Sequence, residues 1–187
     1  MANKGAAFGF SPARNLTGGL IRTNGYAIAN NYGTAIYHGQ AVKAVAAGGI
    51  ESCAAGEVVL GIFAGCFYTD PTTSKPTFSN YYPGSVAAAD IVAYVYDDPR
   101  IVFEVQHDGT GTAAMNFSGF DLVGTGGSTL SGRSTQELDT SSSTTSGQFK
   151  QVGISKDPNN SDTSAANANA YVVPNVGEHT WLLTTAI

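Results

Sequence analysis

Charge is scarce in this chain: 12% of its 187 residues are Asp, Glu, Lys or Arg. Gly, Ser, Thr, Ala and Asn fill the difference, a composition unlike that of a cytosolic enzyme and typical of β-rich surface or assembly proteins. Low charge favours a protein that sits in a complex. Long apolar runs are also missing. The longest, VVLGIFAGCFY at 58–68, is too short to span a bilayer and holds two glycines, so no membrane partner is expected. MANKGAAFGF at the start lacks a secretory core, which implies synthesis and folding in a cytoplasm. The two cysteines, Cys53 and Cys66, are too few for a disulfide framework and read as small buried residues.

The acids are absent from one region altogether. Residues 1–50 carry Lys4, Arg14, Arg22 and Lys43 and no Asp or Glu, giving +4. From Glu51 onward five basic residues face fourteen acids, giving −9. A basic leading section on an acidic body reads as an arm that docks on an acidic surface. Nucleic acid is not an expected partner, because the four charges are dispersed, lack interleaved aromatics and precede an acidic body.

Chemistry-bearing motifs are missing too. His38, His107 and His179 are isolated, and no HExxH or CxxC spacing occurs. DPNNSD at 157–162 has Asp162 where a calcium loop needs Gly and Ala168 where it needs Glu. GRSTQ at 132–136 fails as a nucleophile elbow because Gln136 replaces the second Gly. GTGGS at 124–128 is not followed by the Lys-Ser or Lys-Thr of a phosphate loop. No enzyme, metal or cofactor is expected.

Strand periodicity is what remains. IVAYVY at 91–96 and IVFEVQ at 101–106 alternate at strand length, with Asp97-Asp98-Pro99-Arg100 as turn chemistry between them. His107-Asp108-Gly109 closes the second strand in the same way. Adjacent carboxylates at one strand end point to different sides, so Asp97 and Asp98 are not expected to do acid–base work. Runs at 26–42 and 48–68 are broken by glycines, with a hairpin turn at Gly56-Glu57. Further strands are expected at 149–155, at 170–174 and near 179–185, with Phe149, Val172 and Trp181 returning to the core.

The expected fold is all-β: small barrel or sandwich units with long loops, an extended N-terminal arm over 1–25 and a β-rich body over 26–187. Residues 69–85 mark a possible seam, and their aromatics Phe78, Tyr81 and Tyr82 need cover. Between 124 and 147, 18 of 24 residues are Gly, Ser or Thr, which predicts a flexible loop. Within it, the Ser134-to-Glu137 spacing resembles a capping box that would seed a short helix.

Several words, in order, resemble a family of virion proteins common in phages of aquatic bacteria and taken to be capsid decoration, or cement, proteins. They are FGFSPAR at 8–14, NNYGTAIYHGQAV at 30–42, LGIFAGCFYTD at 60–70, AYVYDDPRIVFEVQHDG at 93–109, STQELD at 134–139 and VGISKDPNN at 152–160. Tyr82-Pro83 stands where members often have Trp-Pro, and the section after 160 is less similar. The resemblance implies a homotrimer on the outer surface of an icosahedral head, bridging neighbouring copies of the major capsid protein. Shell docking is then expected on the arm, with Phe8, Phe10, Arg14 and Arg22 as anchors. The alternative is that Phe8 and Phe10 fold back on their own barrel. A rival function is a head-fibre or tail component binding host-surface glycans, with Tyr81, Tyr82 and Trp181 as stacking platforms.

Overall fold

The computed structural model describes residues 3–183, so parts of the expected arm (1–2) and of the expected last strand (184–185) lie outside it. The fold is all-β, and every strand pairing within its sheets is antiparallel. In chain order the strands are β1 (Ser11–Asn15), β2 (Asn24–Ala27), β3 (Ala41–Ala44), β4 (Ile50–Ser52), β5 (Gly61–Thr69), β6 (Pro76–Ser79) and β7 (Val92–Tyr96). There follow β8 (Ile101–Gln106), β9 (Gly119–Phe120), β10 (Leu122–Val123), β11 (Glu137–Leu138), β12 (Phe149–Ile154) and β13 (Asn169–Pro174). Sheet I runs β1-β8-β13-β12-β9, and sheet II runs β2-β7-β5-β3-β4 with β6 paired to the far half of β5. Strands β10 and β11 form a separate ribbon. Both sheets are open, so the barrel alternative does not hold. No helix among the described residues is long and apolar enough to cross a membrane.

Two apolar clusters hold the sheets. The first gathers Ile101, Phe103 and Val105 of β8 with Phe120, Phe149 and Val172. The second gathers Ile36, Phe63, Tyr82, Ala93 and Val95. Adjacent residues of the same strands enter different clusters: Ala41 and Ile62 the first, Val42 and Phe63 the second. Strands β3 and β5 are therefore covered on both faces, which is why GIFAGCFYT shows no alternation of apolar with charged or strongly polar residues. The division runs through β3 and β5, and residues 69–85 enter the second cluster through Tyr82, which is fully buried; Tyr81 stacks on Tyr37 at 5.6 Å, while Phe78 stays 65% exposed.

The described part of residues 1–25 is woven into the body rather than held out as an arm. Strand β1 pairs with β8, and Phe10, 1% exposed, stacks on Phe149 with ring centroids 4.3 Å apart. Gly9 makes this entry possible: its φ is +73°, and a Cβ there would lie 2.5 Å from the Gly39 carbonyl oxygen.

The Gly/Ser/Thr segment is likewise woven in. His38 N–H donates to Gly132 O at 2.9 Å, Ser134 N–H to His38 O at 2.9 Å, and Asn80 Nδ2 to Ser131 O at 2.9 Å. Ser134, Gln136 and Leu138 are fully buried, and Glu137 lies in β11, not in a helix. The reason is a set of buried amides. All five glutamines of the sequence, at 40, 106, 136, 148 and 151, are at most 2% exposed, against the usual surface habit of this side chain. Gln148 Nε2 donates to Ala54 O at 2.9 Å and Glu57 O at 2.6 Å, and its Oε1 accepts from Leu122 N–H at 3.1 Å.

Replacing Gln148 by Ala leaves the buried Leu122 N–H without its acceptor and takes the amide donor from Glu57 O and Ala54 O, of which Ala54 O keeps the Glu57 N–H at 3.3 Å. The expected loss is about 3 kcal/mol of unfolding free energy, since each buried unpartnered polar group costs about 1–3 kcal/mol and such costs overlap. Urea unfolding followed by circular dichroism checks this, with Leu130→Ser, at a 98% exposed position, as a control expected to change little.

Candidate functional site

The four expected docking residues do not share one surface. Phe10 is core, as described above, and this corrects its assignment as a docking anchor: β1 pairing carries it over the first cluster, out of a partner's reach. Phe8 is half-buried. Arg14 and Arg22 are exposed and line two different clefts.

Arg14 borders a groove of about 420 Å³ across the outer face of sheet I, with Tyr171, Val152, Ile154 and Lys156. Its shape follows from two bulges. In β1 the register shifts between Pro12 and Arg14, and in β12 between Gln151 and Gly153, so Ala13 and Val152 are extra residues, and both line the groove. The Arg14 guanidinium carbon lies 5.8 Å from the Tyr171 ring centroid, within cation–π range. Its lining includes two cations and no carboxylate. Glu104, paired with Tyr171 across the strands, accepts from Asn169 Nδ2 at 3.2 Å.

Arg22 borders the second cleft, of about 280 Å³, whose centre is Asp97. Asp98 behaves as the turn residue expected, accepting from Arg100 N–H at 2.9 Å through Oδ1. Asp97 does not. It is only 5% exposed and collects donors from two other segments: Asn24 Nδ2 at 2.9 Å to each oxygen, Tyr26 hydroxyl at 2.5 Å and Trp181 Nε1 at 3.4 Å. Antiparallel pairing of β2 with β7 brings Asn24 and Tyr26 to this carboxylate. Burial, then Asp97 itself, push the Tyr26 hydroxyl well above the ordinary phenol range. Trp181, expected in the core, is 59% exposed in the short 3-10 turn Thr180–Leu182. His179 caps that turn, its Nδ1 accepting from Trp181 N–H at 3.3 Å.

The remaining chemistry-bearing side chains are occupied structurally. His107 Nε2 meets Gln151 Oε1 at 2.9 Å, while Asp108 Oδ1 accepts from Thr140 N–H at 2.9 Å, so the neighbours do not form an acid–base pair. Cys53 and Cys66 are free and buried, and burial raises each thiol to about 12, which makes them poor nucleophiles. Cys53 Sγ lies 3.5 Å from Gln148 Nε2, an amide committed to two carbonyls. Among the described residues no group of three His, Cys, Asp or Glu side chains is placed to hold a metal ion.

Asp97 had a legible signal: Ile91, Ala93 and Val95 alternate into the core, and the same period carried one step further puts Asp97 inside. Nothing comparable marks Trp181. Comparison of the chain with protein-family models, curated proteins and solved structures found no match.

Acid should loosen this end of the molecule. Burial pushes His179 down to about 4, against the pull of Asp97 and Asp98, and lowers His107 as well. Unfolded histidines titrate near 6.5. Between about pH 6.5 and 4 the unfolded chain therefore binds protons that the native chain refuses, and stability falls as pH falls. Each such proton is worth about 1.4 kcal/mol per pH unit. Glu137 and Glu178, raised by burial, act in the opposite sense and soften the slope. Urea midpoints between pH 7 and 4.5 should show the decline, and His179→Asn, which keeps a capping side chain, should flatten it by up to one proton.

Proposed function

We propose that the chain is a capsid decoration protein that binds the outer surface of an icosahedral phage head and bridges neighbouring major capsid proteins. The six words that resemble, in order, those of the decoration-like family support this reading, as do the low charge and the acidic body. The structural observation that carries it is the Arg14–Lys156 groove: an exposed, bulge-shaped channel with two cations, an aromatic and an aliphatic floor on a protein of net charge −5. An extended acidic segment of the capsid protein fits it. Arg14 pairs with a carboxylate, Tyr171 shields the pair from one side, and Val152 and Ile154 take apolar side chains. A homotrimer presents three such grooves about one axis, so weak single contacts become a durable staple between subunits that otherwise separate independently.

Deleting residues 1–22 is a poor test, because it removes β1 and Phe10 with it. Point variants are cleaner. Arg14→Ala with Lys156→Ala should weaken binding to heads lacking this protein at least tenfold in co-sedimentation. Wild-type binding should weaken as salt rises from 50 to 500 mM. Unchanged binding by the folded double variant would set the groove aside as the docking surface. Sedimentation equilibrium of the free protein tests the trimer.

A further inference from the structure

We propose that the cleft around Trp181 is a binding site for neutral saccharides. Trp181 is the only tryptophan in the sequence, and it is held rigidly although it is exposed: the His179 ring fixes its backbone N–H, and Asp97 fixes its indole N–H. Spending two hydrogen bonds to hold an apolar ring in water does nothing for the core. It does present a flat platform in one orientation, which suits the C–H face of a sugar ring.

The polar groups around the platform match hydroxyl chemistry. A sugar hydroxyl both donates and accepts, so it is satisfied between a group that only donates and one that only accepts. Arg22 is the first kind, and its guanidinium takes no hydrogen bond partner among the described residues. Asp98 is the second: Oδ2 accepts from Asn15 Nδ2 at 2.8 Å and Oδ1 from Arg100 N–H, leaving acceptor capacity on both oxygens. Asn24 adds a carbonyl, since its Nδ2 is committed to Asp97. Asp97, held by three side chains, is the post that orients the others before any ligand arrives, which lowers the ordering cost of binding.

Size and charge narrow the class. A cleft of about 280 Å³ lies at or below the small end of the roughly 300–1,000 Å³ range for drug-sized ligands, so it suits a sugar ring better than a nucleotide. Two carboxylates beside one guanidinium disfavour phosphate and acidic sugars. A neighbouring cleft of about 510 Å³ shares Arg22 and Asp98 and is lined by Thr17, Gly19 and Leu20, a path for the next residue of an oligosaccharide.

The inference goes beyond capsid docking and uses none of the residues lining the Arg14 groove. The full-length protein would be applied to an array of neutral, sialylated and uronic-acid glycans, and hits followed by quenching of the single tryptophan. The expected result is neutral-glycan binding that protects Trp181 from acrylamide, is lost in Trp181→Ala and is weakened at least tenfold in Arg22→Ala, both variants folded by circular dichroism. Arg14→Ala with Lys156→Ala should keep glycan binding, and Trp181→Ala should keep head binding. The proposal is overturned if no neutral glycan binds, if only acidic glycans bind, or if the variants bind like wild type. Protection of Trp181 by heads or by a Lys/Arg peptide, but by no glycan, would likewise overturn it and make the cleft a protein contact.

Discussion

Five buried carboxamides join the loops of this protein to its sheets. Most strands here are short, two of the sheet members having only two or three residues, so many backbone donors and acceptors lie outside any ladder. Buried, such groups must find partners or cost about 1–3 kcal/mol each. A glutamine answers this need well because its amide carries donors and an acceptor on a reach long enough to span between segments. Gln136 accepts from Ala41 N–H at 2.7 Å, Gln40 accepts from Tyr37 N–H at 2.9 Å and donates to Ser52, and Gln106 ties Lys4 and Ala6 to β8. Gln151 joins His107, Thr112 and Asn116. All of these links except the local Tyr37–Gln40 bond cross from one segment to another, so the amides do for the loops what apolar clusters do for the strands.

The same device sets the geometry of the exposed clefts. Asp97 stands at the core-facing end of β7 and gathers Asn24, Tyr26 and Trp181 as the glutamines gather backbone, with the difference that its donors are side chains at the surface. A carboxylate that is only 5% exposed and has no cationic partner within ion-pair distance among the described residues is held by hydrogen bonds instead, and those bonds fix the orientation of all three donors. The Arg14 groove has another origin: its depth comes from one extra residue in each of two strands, which is backbone geometry and independent of that carboxylate.

This division explains which features were legible in sequence. The strands at 92–96, 149–154 and 169–174 show themselves because apolar side chains alternate with partly exposed ones, whereas the strand at 101–106, expected to be half-buried, is buried throughout except at Glu104. The segment 132–138 obeys the same period, with Gly132, Ser134, Gln136 and Leu138 buried and Arg133 and Thr135 exposed, yet three of its four inward residues are small or polar. Hydrophobicity cannot reveal a strand-like stretch whose interior contacts are hydrogen bonds. The arm was misread for a related reason: charge asymmetry reports solvation, whereas Phe10 and Gly9 report a close approach that depends on Gly39, thirty residues away. Register-dependent features such as the bulges carry no local signature at all.

The basic character of the leading section takes on a more definite meaning once its members are placed. Lys43 is spent on Glu57 at 2.5 Å, an internal pair near the Cys53–Glu57 turn. Lys4, Arg14 and Arg22 are left, all three exposed, and the last two border clefts. What reads in sequence as one weakly basic arm is therefore a set of separate cations, of which Arg14 and Arg22 stand at the mouths of different clefts. Arg14 stands over an aromatic in a channel without carboxylates, and Arg22 stands beside two carboxylates and a tryptophan. Equal charges in such unequal surroundings select different ligands, because it is the neighbouring acceptors, not the cation, that decide whether an anion or a hydroxyl is bound.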